Sequence, residues 1–190
     1  MEPHQCPKVL RDSFALDVAV RQFTRAYRVK ISPIAKFGRD RIIRTEFEKG
    51  LGFLGAGQLL EPYCAGEPIR HVRLHLMCQG LELILKSALL AKDFGTYRPQ
   101  LANPKRFGHD LIKIAEAVEG EYGLSTMRPG LRTALEELAR LYSGHHLRYP
   151  GICDIFIDPN AIGVRHVNRR VKALIRLMNL EFSRTNSGRP

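Results

Sequence analysis

Five polar side chains recur along one otherwise apolar stretch of this chain: His71, His75, Gln79, Glu82 and Lys86. At about 100° per residue they fall in one narrow sector of a helix. Histidine can exchange a proton near neutral pH, lysine carries positive charge, and glutamine and glutamate bond polar edges. Such a seam either faces water or lines a pocket able to bind a phosphate or a base edge. Glu82 and Lys86 also stand in the favourable i, i+4 ion-pair order, which on a surface is worth only a few tenths of a kcal/mol.

A second chemistry is written as R-x4-H, in Arg70 with His75 and again in Arg140 with His145. An arginine and a histidine brought together can cleave RNA without metal. The histidine moves the 2′-hydroxyl or leaving-group proton, and the arginine stabilises the charged phosphorane. In a chain with 30 lysines and arginines the pattern also arises readily by chance. His71 and His75 form an H-x3-H pair able to hold a metal from one helix face. No zincin signature or cysteine pair accompanies it, so neither a metal nor a cofactor is expected. Gly108-His109-Asp110 reads as a tight turn into a helix, with His109 and Asp110 either fixing the turn or meeting a ligand. His145-His146-Leu147-Arg148-Tyr149-Pro150 is a second loop cluster, whose histidines are either solvated or part of a site.

These residues need helices to position them. Apolar spacing predicts helices over residues 13–30, 45–60, 69–93, 110–121, 130–142 and 163–182, so the expected fold class is all-α. Thr45 would cap the second of these, with Glu48 at the capping-box position. Gly50, Gly52, Gly55 and Gly57 within it predict close approach to another helix. The phrase Gly50 to Gly57 mimics a nucleotide-binding loop, but it follows no strand. Residues 94–107 read as a loop, residues 152–157 as the one strand-like run, and residues 183–190 as a disordered tail.

Charge is concentrated at the two ends. Residues 1–45 carry ten basic against four acidic side chains, and residues 163–190 carry seven against one, within a total of +11. The middle is close to neutral. Basic ends attract polyanions, nucleic acid above all, or they serve solubility alone. The domain reading is a basic helical extension over 1–44, a helical domain over 45–182 and the tail. The four cysteines are scattered, which suits reduced thiols. No apolar run reaches the roughly 18 to 20 residues a bilayer span needs, and the first residues lack the order of a secretory signal. A cytoplasmic protein without membrane contact is expected.

In order and spacing, three pieces resemble the HEPN superfamily of small helical domains. They are His75 followed by Glu82-x3-Lys86, then Gly108-His109-Asp110-Leu111, then Arg148-Tyr149-Pro150, across roughly residues 45–182. The resemblance implies a four- or five-helix bundle, often a homodimer, that engages nucleotides or RNA. Many relatives are encoded beside toxin–antitoxin, phage-defence or nucleotidyltransferase partners. One branch consists of metal-independent endoribonucleases using R-x4-6-H, usually with a polar residue after the arginine. Arg70-His71 keeps that preference, whereas Arg140-Leu141 departs from it. The branch with E-x3-K and RYP is associated with binding. The expected site is therefore His75, Gln79, Glu82 and Lys86 facing His109 and Arg148. Lys86 and Arg148 would meet phosphate, and a histidine would meet base or ribose. Two alternatives remain: a ribonuclease toxin using Arg140 with His145 or Arg70 with His75, and an interaction module that takes no small ligand.

Overall fold

Gly38, at φ 128°, turns the chain into the first of the described helices, α1 (Arg39–Leu59). That backbone region favours glycine, and Asp40 in the first turn complements the helix dipole. The helix starts six residues before the expected cap. Thr45 lies half-buried inside it, so the Thr45–Glu48 capping box is not used. The boundary expected between residues 44 and 45 falls within α1. A computed structural model describes residues 38–63, 67–144, 147, 162 and 164–187. The helix expected over 13–30 and the strand expected over 152–157 lie outside the described residues.

A 3₁₀ turn (Glu61–Tyr63) leads towards α2 (Glu67–Lys92), the helix that carries the polar seam. α1 and α2 run antiparallel and touch through glycine. A Cβ on Gly80 would stand 2.6 Å from Leu54 Cγ and 2.7 Å from the Gly50 carbonyl oxygen. A Cβ on Gly50 would stand 2.8 Å from Ile84 Cγ1. One turn and more along, Gly57 faces the Arg73 carbonyl. Gly50 and Gly57 thus meet the expectation of close approach, whereas Gly52 faces open space.

α2 is central among the described helices, packed on α1 and on each described helix that follows. Leu74, Leu81, Ile84, Leu85, Ala88 and Leu89 are buried along it. By length and composition it is apolar enough to cross a membrane, contrary to the expectation above, yet two-thirds of that stretch is buried inside the molecule (67%).

Residues 94–107 are not all loop. Asp93 accepts a hydrogen bond from the Thr96 amide at 3.0 Å and caps α3 (Phe94–Ala102). Pro99 lies inside this short helix and removes one backbone donor. α4 (Leu111–Tyr122) is capped by Asp110 and ends at Gly123, φ 58°. α5 (Pro129–Ser143) begins with proline at its first position, where no amide is missed. α6 (Val164–Ser187) passes through residues 183–187, which were expected to be disordered. Its inner face is Val167, Val171, Leu174, Ile175 and Met178. Its arginines are not all outside: Arg170 pairs with buried Glu119 of α4. Phe182 meets Phe47 edge-on at 5.3 Å, beneath the Arg44 guanidinium, and so ties α6 back to α1. The described chain is all-helical, with six α-helices and no strand among the described residues.

Candidate functional site

The seam on α2 does not lie open to water at its centre. Glu82 is 3% exposed and accepts from three side chains. Lys86 Nζ donates to Oε1 at 2.5 Å, one turn further along the helix. Tyr142, near the end of α5, donates its hydroxyl to Oε2 at 2.6 Å. His109 Nδ1 stands 3.0 and 3.1 Å from the two oxygens. Because a carboxylate only accepts, His109 carries a proton on Nδ1 and donates. One buried carboxylate therefore joins α2, the turn before α4, and α5.

Local sequence explains how His109 reaches it. Asn103 opens a tight turn by accepting from the Lys105 amide. Gly108 then takes φ 51°, where a Cβ would stand 2.7 Å from the Pro104 carbonyl oxygen. Asp110 caps α4 through the Ile112 and Lys113 amides, at 3.1 Å each. Held between these two fixed points, His109 turns one ring edge to Glu82 while 55% of its side chain stays exposed. In the neutral ring the lone pair then sits on Nε2.

Burial pushes the Glu82 carboxyl up. The bonds from Lys86, Tyr142 and His109 outweigh that and hold it below its ordinary range, so it is ionised at neutral pH. The same burial, with the Glu82 charge one turn away, pushes the Cys78 thiol far up. Tyr142 also stands between two imidazoles, with ring centroids 5.7 Å from both His75 and His109.

Of the expected binding residues, Glu82, Lys86 and His109 are thus in direct contact, and His75 joins through Tyr142. Gln79 is half-buried one turn before Glu82. Arg148 and His145 lie outside the described residues. Of the residues proposed for cleavage, Arg140 is exposed on α5, about 200° around the helix from Tyr142. Arg70 and His75 share the unbroken α2, about 140° apart. Neither arginine is among the residues gathered around Glu82. His71 is half-buried, with its Nε2 inside the protein. Among the described residues no group of three or more metal-ligating side chains converges.

Tyr142 was missed by sequence reasoning, which placed it only as the last residue of a helix. A signal was available. Leu131, Leu135, Leu138 and Tyr142 share one face of α5 and are all buried, and a tyrosine on a core stripe needs a partner for its hydroxyl. Glu119 and Arg170 were missed for the same reason: both lie on faces whose neighbours are apolar. Comparison of the chain with protein-family models, curated proteins and solved structures gave no match in any of the three.

Proposed function

We propose that this chain is a HEPN-like helical module that binds a nucleotide or a stretch of RNA beside the Glu82 seam. The observation that carries the reading is the convergence of Lys86, His109 and Tyr142 on one buried carboxylate. It brings together the E-x3-K and GHDL residues, 27 positions apart at Glu82 and His109. In this reading Glu82 orients its donors and does not itself meet ligand. His109 offers Nε2 to a base or ribose edge, and Lys86 directs its remaining hydrogens to a phosphate. His75 and Gln79 extend the polar surface, and Arg148 supplies a second cation. A homodimer, an antitoxin or nucleotidyltransferase partner and a cytoplasmic setting belong to the same proposal.

Calorimetric titration with AMP, ATP and a 20-nucleotide RNA tests it. His109→Ala is expected to weaken ligand binding at least tenfold, by loss of one hydrogen bond to a charged or polar edge. Because the variant also loses one of the three donors to Glu82, circular dichroism checks that it is folded at the titration temperature. Undiminished binding in that variant, or no binding by any of the three probes, would refute the seam as the site.

One observation favours a second reading, a metal-independent endoribonuclease. A carboxylate on Nδ1 and an exposed ring edge are what a general base requires. His109 would then act on the 2′-hydroxyl, and Arg140 and His145 would be dispensable. Cleavage in EDTA leaving 2′,3′-cyclic phosphate ends, lost in His109→Ala and retained in Arg140→Ala, would establish it.

A further inference from the structure

α6 carries four cations in a line. Arg165, Arg169, Lys172 and Arg176 follow i, i+4, i+7, i+11 spacing, so they project within about 60° of one another. All four are exposed. At 1.5 Å per residue the line is about 16.5 Å long, with steps of about 6, 4.5 and 6 Å. The two other cations of this helix between residues 164 and 184 are engaged elsewhere: Arg170 with Glu119, and Arg184 with Glu181. None of the four aligned cations makes an ion pair among the described residues, and Glu181 is the one acidic residue on the helix. Like charges spaced i, i+4 repel by a few tenths of a kcal/mol per pair. An external polyanion would relieve that repulsion.

We propose that this line is a track for the phosphodiester backbone of nucleic acid, used without regard to sequence and separate from the Glu82 seam. A single phosphate cannot bridge cations spread over about 16.5 Å, whereas a chain of phosphates can follow them. Arginine at three of the four positions adds bidentate geometry for phosphate oxygens. A lipid surface fits less well, because an amphipathic helix enters lipid through its apolar face. Here that face, Val167 to Met178, is buried in the core, and Leu180 is the one large apolar side chain α6 exposes among its described residues.

The test uses the full chain and a fluorescently labelled 20-nucleotide oligouridylate, with anisotropy read from 50 to 200 mM KCl. Four contacts to a single strand contribute a slope of about −2.8 in log affinity against log salt. The quadruple variant Arg165→Gln, Arg169→Gln, Lys172→Gln, Arg176→Gln should lose that much slope. The wild type's advantage over it should shrink about fifty-fold across this salt range. A control variant with Lys49, Arg98, Lys105 and Arg128 changed to glutamine removes the same charge from scattered exposed positions and should keep most of the slope. Circular dichroism checks that both variants remain helical. An unchanged slope in the ridge variant would overturn the proposal, as would an equal loss in the scattered control. Binding to phosphatidylserine vesicles with no binding to the oligonucleotide would overturn it in favour of a membrane. His109→Ala should leave the slope intact, so failure of the ridge and failure of the seam are read separately.

Discussion

Glu82 accepts from three donors and, ionised, has no proton of its own to give. Glu82→Gln exchanges one acceptor oxygen for an N–H donor, which Tyr142 or His109 can meet only by reversing its own hydrogen bond, and it leaves the Lys86 ammonium without its counter-charge. Breaking a buried pair in this way costs about 3 kcal/mol or more, which urea denaturation would measure. The pH dependence has a definite sign. The folded-state carboxyl lies below the ordinary value of 4.5, and the unfolded chain regains that value. The contribution of Glu82 is therefore complete above about pH 4.5 and is lost as pH falls through the lower folded value. Glu82→Gln should show a flatter acid limb than the wild type; parallel limbs would mean that the carboxylate is not ionised in the fold. Cys78, fully buried beside this charge, should resist iodoacetamide in the native protein and react only after unfolding. Rapid native alkylation of its peptide, read by mass spectrometry, would contradict the described burial.

At the scale of elements, the contact between α1 and α2 separates two glycines, Gly80 inside it and Gly52 on the open side of α1. Gly80→Ala drives a methyl against the Leu54 side chain and the Gly50 carbonyl. Backbone cannot yield as a side-chain tip can, so a loss of about 1–3 kcal/mol is expected. Gly52→Ala meets nothing within 4 Å and should stabilise the protein by about 0.5–1 kcal/mol through helix propensity. Thermal melts of the two variants should move in opposite directions. Much of this architecture was legible in the sequence. The buried faces of α4, α5 and α6 follow the apolar spacing, because one side of each helix rests on α2 and the other is wet. The start of α1 was not legible, since Thr45 and Glu48 imitate a cap while Gly38 supplies the real entry. α3 was hidden by Gly95 and Pro99, which read as loop residues; Asp93, three before an amide it caps, was the available sign. At the site, Glu82 and Lys86 could be paired from helical spacing alone. Tyr142 could not, because its bond to Glu82 spans 60 positions and depends on how α5 packs.

For the molecule as a whole, charge and packing are divided by face. α6 presents four aligned cations outward while its far end closes the bundle, and Phe182 does the closing against Phe47. Phe182→Ala should cost about 2 kcal/mol, less than a fully buried phenylalanine because the ring is only partly covered. Leu180→Ala, at 59% exposure two residues earlier, should change little. If calorimetric melts found the two equal, α6 would not be anchored to α1 by that ring. The glycine contact at residues 50 and 80 has a further effect, which reaches residues it never touches. It fixes the phase of α2, and Glu82 lies only two positions beyond it. One residue inserted between Gly80 and Glu82 would swing everything after it by about 100°, carrying the carboxylate out from between His109 and Tyr142. The same insertion in the turn at residues 124–127 would shift no helix phase at all. Two side chains that amount to a hydrogen atom each thus keep time for a seam built from five large ones.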